Sequence, residues 1–236
     1  MCPICRRPSA ERINITNDNS FWHRCSCGIV FQDDPPEHGV YDHSYREQYE
    51  EMKEAKYRLV QGASVYSPIL EDLTLGRRVL EVGCNTLDNK KYFNNRGWVY
   101  FGIDSNKNLD EIKTNRIIEG DFESFDFKGL QFDVIWMSHV FEHFMNPVAV
   151  LEKCHNLLSE DGLIYIATPD TDWINNLGVG GWGHWNKKEH YIFWNIASLS
   201  KKLEELGFQV IVKRRNFSMR YTSWHDLHII AQKIYY

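Results

Sequence analysis

The chain has no long apolar run, and no apolar stretch follows its first basic residues. None of its 236 residues lie in a hydrophobic segment near the ~20 residues that a bilayer-spanning helix needs, which excludes such a helix. The opening MCPICRRPSAER also lacks the apolar centre of a secretory signal. We therefore expect a protein with no membrane span and no export signal, located in the cytoplasm.

The sequence also lacks an excess of positive charge. Lys and Arg number 27 against 32 Asp and Glu, a formal net charge of -5, which argues against a nucleic-acid partner. Hydrophobic residues make up 43% and charged residues 25%, which excludes a disordered or a fibrous chain. No internal repeat and no low-complexity tract is present.

Cysteine is scarce outside the first 27 residues, where four of the six cysteines lie. In a reducing compartment, clustered cysteines bind metal more often than they form disulfides. Cys2-x2-Cys5 and, after nineteen residues, Cys25-x-Cys27 supply the four thiolates of a closed tetrahedral zinc site, with His23 as a reserve ligand. So small a segment does not fold on apolar burial alone, and we expect a zinc ribbon stabilised by structural zinc.

Changes in the sequence pattern divide the chain into three segments. Residues 1–38 are the zinc ribbon, residues 39–75 are a polar and helix-prone linker or lid, and residues 76–236 are an α/β domain. A length of 236 residues fits one domain with an appendage, or two small domains, at roughly 150 residues per domain.

The second segment carries a helical repeat of tyrosines. Tyr41, Tyr45 and Tyr49 recur every four residues, which places them on one face of a helix. Pro68 is expected to break or to start a helix, because proline lacks the N–H group that a helix interior uses.

Short apolar runs alternate with amphipathic stretches from Arg78 onward. The runs predict buried strands over residues 79–82, 99–103, 116–118, 132–137 and 163–168. Helices are predicted over residues 86–96, 107–113, 146–158 and 196–206. This alternation is typical of βαβ units around a parallel sheet. Residues 208–213 and 227–234 predict two more strands, and the loop between them is too short for a crossover helix, so they should pair antiparallel.

A glycine and two acids stand where the first three predicted strands of the sheet end. Gly83 follows the first strand and allows a ligand to approach the backbone closely. Asp104 ends the second strand, where a carboxylate accepts hydrogen bonds from both hydroxyls of a ribose. Asp121 and Phe122 follow the third strand and suit an adenine. The window GCNTLD has one glycine, whereas a dinucleotide fold needs G-x-G-x-x-G to bind pyrophosphate. These residues therefore predict recognition of adenosine and disfavour a dinucleotide, but they do not decide between a dinucleotide and another cofactor that contains adenosine.

The chain resembles class I S-adenosylmethionine-dependent methyltransferases of the type 11, 12 and 23 kinds. The pieces that match, over about residues 40–236, are VLEVGC (79–84), GID (102–104), GDFESF (120–125), FDVIWMSHVFEH (132–143) and LLSEDGLIYIATPD (157–170). The resemblance implies a Rossmann-like seven-stranded sheet with an antiparallel last strand, and S-adenosyl-L-methionine as cofactor. The family's first loop is usually E-x-G-x-G-x-G, whereas Asn85 and Leu87 stand at the later glycine positions, so a wider loop or weaker binding is expected.

The resemblance also implies which residues hold the cofactor. The loop after the first strand faces its methionine part, with Glu81 at the amino group; the second strand's end binds the ribose; the third strand's end binds the adenine; and the fourth strand's end lines the site. In that order the residues are Glu81, Gly83, Cys84, Asn85, Asp104, Ser105, Asp121, Phe122, Ser138 and His139.

The segment SHVFEHF after the fourth strand supplies candidate catalytic groups. His139 and His143 are four residues apart, so a helical turn presents them on one side. Because histidine titrates near working pH, we expect His143 to deprotonate a hydroxyl acceptor, with a packing role as the alternative. H-x-x-E-H also resembles the E-x-x-E-H motif of some metal-dependent O-methyltransferases, which makes Glu142 a candidate ligand of a catalytic divalent ion.

A second cluster of unusual composition is GGWGHWNKKEHYIFW, residues 180–194. We interpret it as a substrate loop in which His190 is a substrate ligand or the alternative base. Trp182 and Trp185 would then stack on an apolar or sugar face of the acceptor. The alternative is an aromatic cap packed on the sheet, which we expect for Phe193 and Trp194.

The phrase CSCGIVF, residues 25–31, resembles the zinc-binding leader of bacterial methyltransferases that modify sugars and polysaccharides. Ribosomal RNA methyltransferases also have such a leader, but four arginines against five acids in residues 1–40 are no footprint for RNA. We therefore expect O-methylation of a small-molecule or carbohydrate acceptor. The alternatives are methylation of nucleic acid or of a nitrogen or carbon atom, and a non-catalytic binding protein on a degenerate methyltransferase fold.

Overall fold

A computed structural model describes residues 1–8, 11–15, 20–33, 53–85, 87–105, 116–186, 188–215 and 225–234. The predicted helix over 107–113 lies outside these residues, as do the three tyrosines of the predicted linker. Within the described part of the chain, no helix is long and apolar enough to cross a membrane.

The described residues form eleven strands and five α-helices. The strands are β1 (Glu11–Ile15), β2 (Ser20–Arg24), β3 (Val30–Gln32), β4 (Arg78–Val82), β5 (Val99–Asp104), β6 (Ile117–Glu119), β7 (Phe132–Ser138), β8 (Leu158–Pro169), β9 (Ile192–Phe193), β10 (Phe208–Arg215) and β11 (Asp226–Lys233). The helices are α1 (Lys53–Leu73), α2 (Asp88–Asn95), α3 (Pro147–Leu157), α4 (Trp173–Leu177) and α5 (Ile196–Glu205). Short 3-10 turns lie at Phe141–His143 and Val179–Gly181.

Seven strands form the larger sheet, in the order β10-β11-β8-β7-β4-β5-β6. The strands β4 to β8 run parallel to one another, while β11 is antiparallel to both β8 and β10. The seven-stranded α/β sheet with an antiparallel last strand, as predicted from the sequence, is therefore confirmed. The carboxyl ends of its parallel strands and the start of β11 meet at one edge of the sheet.

Helices cover both faces of this sheet because successive strand residues point to opposite sides. On one face, Leu151 of α3 and Leu203 of α5 pack with strand residues such as Ile135. On the other face, Leu70 of α1 and Phe93 of α2 pack in a second core. The sheet is thus the middle of three layers.

Pro68 lies inside α1, so the expectation that it breaks or starts a helix is wrong. A proline there removes one helical hydrogen bond. Packing of the same helix face offsets that loss, because Ala63 and Leu70 are fully buried. Tyr66 also stacks on His228 with ring centroids 4.8 Å apart. Tertiary burial keeps the helix continuous through the proline.

Most strands extend beyond their predicted bounds or are shifted from them, and strand pairing explains two of these differences. β8 begins at Leu158 rather than at 163, because Leu158 pairs with Phe132 before a register shift in the β7–β8 ladder. β11 begins at Asp226 rather than at 227, because Asp226 pairs with Pro169 at the end of β8.

The smaller sheet joins the amino-terminal segment to the rest of the chain. Its order is β1-β2-β3-β9, and β9 comes from the second aromatic cluster. Val30 pairs with Phe193 and Phe31 with Ile192. Trp22 is fully buried and stacks on Phe193 at 4.9 Å between ring centroids. Phe31 of β3 packs in the same core as Ile135 of the larger sheet, so the two sheets share a core.

Candidate active site

The loop after β4 keeps the backbone shape of a glycine-rich turn although it contains one glycine. Gly83 has a φ of 74°, and Asn85 and Leu87 have φ of 36° and 60°. L-residues adopt positive φ only rarely. Asn85 and Leu87 occupy the later glycine positions of the E-x-G-x-G-x-G pattern, so the side chains differ from that pattern while the left-handed backbone is retained.

Asp104, the last residue of β5, holds this loop in place. Its Oδ2 accepts a hydrogen bond from the backbone N–H of Asn85 at 2.8 Å. The side-chain Oδ1 of Asn85 is buried and has no hydrogen-bond partner among the described residues. Buried polar atoms are nearly always paired in folded proteins, so this free acceptor indicates a ligand that brings a donor.

Glu81 is buried beneath the same loop. Its carboxylate accepts hydrogen bonds from Asn89 Nδ2, at 2.8 Å, and from the hydroxyl of Tyr100. Burial raises the pKa of Glu81 to about 7, against the lowering effect of these two donors, and the charges of Asp88 and Asp104 raise it further. The carboxyl group is therefore poised to change charge near neutral pH.

Three other residues of the implied cofactor set differ in what their side chains touch. The thiol of Cys84 packs against Gly102, where an added Cβ would lie 2.8 Å from the sulfur. The Cys84 side chain therefore points into the sheet, and its backbone faces the loop. Ser105 is exposed just beyond β5, and Ser138 is the half-buried last residue of β7.

Asp121 and Phe122 lie at the end of β6 in a turn of their own. The carboxylate of Asp121 accepts hydrogen bonds from the backbone N–H and the hydroxyl of Ser124, the latter at 2.9 Å. The ring of Phe122 is buried among other phenylalanines, with Phe127 and Phe144 about it at centroid distances of 5.9 and 6.2 Å. The exposed carboxylate and the Phe122 backbone are what this turn offers to a ligand.

The 3-10 turn after β7 lies directly beside the loop after β4. A Cβ at Gly83 would lie 2.9 Å from Cγ2 of Val140, so the glycine is required by this contact as well as by its positive φ. Glu142, on the turn, is buried and accepts a hydrogen bond from Thr168 Oγ1 of β8 at 3.0 Å. The implied cofactor loop and the H-x-x-E-H segment thus form one continuous site.

His139 lies between two buried carboxylates and has a φ of 51°. Its Nε2 is 3.2 Å from Oδ2 of Asp226, and its Nδ1 is 3.6 Å from Oε1 of Glu142. Burial alone would lower the pKa of His139, but the two carboxylates overcome this effect and raise the pKa to about 10. The imidazolium in turn lowers the pKa of both carboxyl groups against the effect of burial.

Asp226 is a buried carboxylate beside His139 that the sequence analysis did not include among the candidate residues. It is the first residue of β11, and it is buried. Because β11 is antiparallel to β8, its beginning lies at the edge where the parallel strands end. The signal was present as the polar run W-H-D-L-H, residues 224–228, ahead of an antiparallel strand.

His143, Glu142 and His190 form a compact cluster at this edge. One ligand atom from each lies within 4.8 Å of the others. The rings of His143 and His190 meet edge to face at a centroid distance of 4.9 Å. Burial lowers the pKa of His143 to about 3, so this imidazole is neutral at neutral pH.

The tautomer of His190 follows from its hydrogen bond. Its Nδ1 lies 2.8 Å from the backbone carbonyl oxygen of His184. A carbonyl oxygen only accepts, so Nδ1 donates and carries the proton. When the ring is neutral, Nε2 therefore carries a lone pair that can accept a proton or bind a metal ion.

Trp182 does not present its ring to an acceptor, and the expectation that it stacks on a substrate is wrong. It is 1% exposed and lies edge-on to Phe193 and Trp185, with centroids at 4.7 and 4.6 Å. Trp185 also contacts Trp22 at 5.4 Å. These rings form the core between the smaller sheet and α4, so the alternative of a packed aromatic cap describes them.

The four amino-terminal cysteines form a separate cluster. Their sulfurs all lie within 4.8 Å of one another, with Cys2 to Cys27 at 3.7 Å and Cys5 to Cys25 at 3.4 Å. Zinc–sulfur bonds of about 2.3 Å in a tetrahedron require sulfurs about 3.8 Å apart, which this cluster approaches. His23, the reserve ligand, instead has its Nε2 2.7 Å from Asp33.

Comparison with known proteins gives one family match and one curated relative. A family model described as "Methyltransferase domain" matches residues 45–213. A ubiquinone biosynthesis O-methyltransferase of Glaesserella parasuis serovar 5 (strain SH0165) is 47% identical over 38 residues. That match covers 16% of this chain and only 16% of the length of the relative.

Solved structures share the fold at low sequence identity. The 1,6-didemethyltoxoflavin-N1-methyltransferase of Burkholderia thailandensis, solved with 1,6-didemethyltoxoflavin and S-adenosylhomocysteine, has a TM-score of 0.58 at 16% identity, over 91% of this chain and 99% of that one. The plantazolicin methyltransferase BpumL, solved with S-adenosylhomocysteine, has a TM-score of 0.64 at 15% identity, over 81% of this chain and 90% of that one.

Proposed function

This chain belongs to the family of methyltransferase domains, and from that premise we propose that it transfers the methyl group of S-adenosylmethionine to a hydroxyl group of a small molecule or carbohydrate. The observation that carries the proposal is the loop after β4. Its backbone has the left-handed turn of a glycine-rich loop, Asp104 ends the neighbouring strand, and Asn85 keeps a buried acceptor free.

We assign the residues of this edge to successive parts of the cofactor. Glu81 and Asn85 would accept from its ammonium group, Asp104 and Ser105 from its ribose hydroxyls, and Asp121 from the adenine amine. When bound, the cofactor supplies an electrophilic methyl group on a sulfonium, and the protein supplies orientation. Cys84 and Phe122 would contribute backbone groups, since their side chains point into the core.

Proton removal from the acceptor is assigned to the cluster of Glu142, His143 and His190. His190 holds its proton on Nδ1, so its Nε2 is oriented to accept one. His143 is neutral beside it, but a pKa of about 3 makes it a weak base, because a general base works best with a pKa near the operating pH. We therefore assign the base to His190 first and to His143 second. Glu142 and His139 would hold the turn that carries His143.

A divalent ion at Glu142, His143 and His190 is the second candidate mechanism. One carboxylate and two imidazoles suit a divalent ion, and their ligand atoms already lie within 4.8 Å of one another. The O-methyltransferase relative also supports a hydroxyl acceptor, although it matches this chain over 38 residues only.

We also propose one structural zinc ion on Cys2, Cys5, Cys25 and Cys27. Residues 1–38 then form a zinc ribbon, residues 39–75 a helical linker, and residues 76–236 the methyltransferase domain. The sulfur geometry supports the zinc, and thiols held free of disulfides fit a cytoplasmic protein.

The test is a screen of hydroxylated small molecules, nucleotide sugars and glycans with S-adenosylmethionine labelled in its methyl group. With an acceptor found, His190→Gln should lower turnover by about 10²- to 10⁴-fold, the usual contribution of a general base, without changing the affinity for S-adenosylhomocysteine. His155→Gln, on α3, is the matched control and should leave turnover unchanged. Full turnover in His190→Gln and in His143→Gln would contradict the assignment of the base.

In the same assay, substitution of Glu142 distinguishes catalysis by a general base from catalysis by a bound metal ion. If a divalent ion takes part, Glu142→Gln should lower turnover as far as His143→Gln, and added Mg²⁺ or Mn²⁺ should restore turnover of chelator-treated wild type. Activity that is independent of added ions would exclude the ion.

A further inference from the structure

The smaller sheet reaches the candidate active site through the end of β3. Gln32, the last residue of β3, lies beside the segment that carries His190. The backbone N–H of Gln32 donates to the carbonyl oxygen of Tyr191 at 3.2 Å, ahead of the ladder between Phe31 and Ile192. The amino-terminal segment therefore pairs with the chain immediately after His190.

The side chain of Gln32 makes a second contact with this segment. It is 5% exposed, and its Nε2 donates to the backbone carbonyl oxygen of His190 at 2.5 Å. A single residue of the amino-terminal sheet thus holds the carbonyl groups of both His190 and Tyr191. Burial of an amide side chain costs free energy of desolvation. An apolar residue at position 32 would avoid this cost if β3 only had to pack against its neighbours.

Contacts on the other side leave His190 few ways to move. The backbone N–H of Tyr191 donates to the carbonyl oxygen of Glu142 at 2.8 Å. The backbone N–H of His190 donates to the carbonyl oxygen of Asn186 at 2.8 Å, and its ring donates to His184. The direction of Nε2 therefore depends on the backbone at 190, which Gln32 holds.

The cysteine cluster fixes the turn from which β3 begins. The backbone N–H of Cys25 donates to the carbonyl oxygen of Ile29 at 2.8 Å, and the N–H of Gly28 donates to Cys25 at 3.0 Å. The carbonyl oxygen of Gly28 accepts from Thr171 Oγ1 at 3.1 Å. A contiguous set of contacts thus runs from the cysteines through β3 to His190.

We propose that Gln32 is a positioning residue for His190, and that the amino-terminal segment thereby belongs to the acceptor half of the site rather than to the cofactor half. The proposal rests on the role that the proposed function gives to His190. It assigns Gln32 no contact with substrate or cofactor; Gln32 acts through the backbone of residue 190.

The first measurement is nitrogen-15 NMR of the histidine rings, with the His190 signals assigned by their loss in His190→Gln. Wild type should show His190 as the Nδ1-protonated tautomer. Gln32→Met keeps the side-chain length but removes the donor, and it should give mixed tautomers or broadened His190 signals with unchanged affinity for S-adenosylhomocysteine. Gln209→Met, at an exposed glutamine of β10, is the matched control and should leave the His190 signals unchanged.

The second measurement is turnover in a double-mutant cycle. A displaced catalytic group can lower the rate about 100-fold, so Gln32→Met should lower kcat by about 10- to 100-fold with the KM for S-adenosylmethionine unchanged. In the His190→Gln background, the same substitution should lower kcat no further. Should Gln32→Met not fold, Gln32→Leu, which also lacks the donor, replaces it in both measurements.

Unchanged His190 signals and unchanged kcat in a folded Gln32 variant would overturn the proposal, and so would an equal loss of kcat with and without His190. Failure of the wild type to bind S-adenosylhomocysteine would instead contradict the proposed function. The NMR comparison would still decide whether Gln32 holds His190.

Discussion

Asn85 and Leu87 hold backbone conformations that glycine adopts most easily. Their φ angles of 36° and 60° lie where L-residues are strained, and asparagine is among the residues that tolerate this region best. Leu87 offsets its strain by burial in the core between α1, α2 and the sheet. The loss of two glycines from the pattern was visible in the sequence, but the retained turn was not, because side-chain identity alone does not fix φ.

Glu81 gives the site a pH dependence with a definite sign. Its pKa in the folded chain, about 7, exceeds its ordinary 4.5, because burial disfavours the charged form. Stability contributed by its protonated form is thus fully present below about 4.5 and lost as the pH rises through about 7. A cofactor ammonium favours the ionised form, so cofactor binding must remove this proton at acid pH.

We therefore expect the affinity for S-adenosylhomocysteine to rise with pH between 5 and 7 and then to level off. The limiting slope is about tenfold per pH unit, the value for release of one proton. Calorimetric titrations across this range would measure it, and Glu81→Gln should abolish the slope. An equal slope in Glu81→Gln would show that another group titrates.

At the scale of elements, predictions succeeded where the signal was local. The apolar runs over 79–82, 99–103 and 132–137 all lie in strands of the larger sheet. The pairing of β3 with β9 was not predictable from such runs, because the partners are about 160 residues apart and β9 has only two residues. The prediction that Pro68 breaks or starts a helix was wrong, because the packing of α1 outweighs the loss of one hydrogen bond.

Asp226 begins the antiparallel strand β11, so its carboxylate lies at the edge of the sheet where the parallel strands end. Its carboxylate pairs with His139, whose side chain is 25% exposed. Asp226→Asn keeps the shape and removes the charge, so we expect the free energy of unfolding to fall by about 2–3 kcal/mol, somewhat below the usual loss for a fully buried ion pair.

Chemical denaturation at neutral pH would measure this loss. Asp126→Asn, at an exposed aspartate, is the matched control and should change the free energy of unfolding by less than about 0.5 kcal/mol. A similarly small change in Asp226→Asn would mean that the pair with His139 contributes little to the fold.

At the scale of the whole molecule, one hydrophobic core joins the two sheets, because Cys25 and Phe31 of the amino-terminal segment pack in the same cluster as Ile135 of the larger sheet. A metal ion on the cysteine cluster would therefore stabilise a surface on which Ile192 of β9 packs. We expect metal analysis to find one zinc per chain in wild type, and none when Cys25 and Cys27 are both replaced by serine.

Replacement of Cys154, a buried cysteine of α3, by alanine is the control and should leave the zinc content at one per chain. A wild-type protein purified without zinc, or zinc retained after loss of Cys25 and Cys27, would contradict the assignment of these ligands. Unfolding of the zinc-free variant should be detected first in the smaller sheet.

The central claim is that the edge around Gly83, Asn85 and Asp104 binds S-adenosylmethionine, and calorimetric titration with S-adenosylhomocysteine tests it most directly. We expect one site per chain in wild type. Asp104→Ala should weaken binding by about 1–3 kcal/mol, the range for losing hydrogen bonds to a charged group, while Asp72→Ala, at an exposed aspartate of α1, should bind as wild type does. No binding heat from folded wild type, or equal affinity in Asp104→Ala, would contradict the claim.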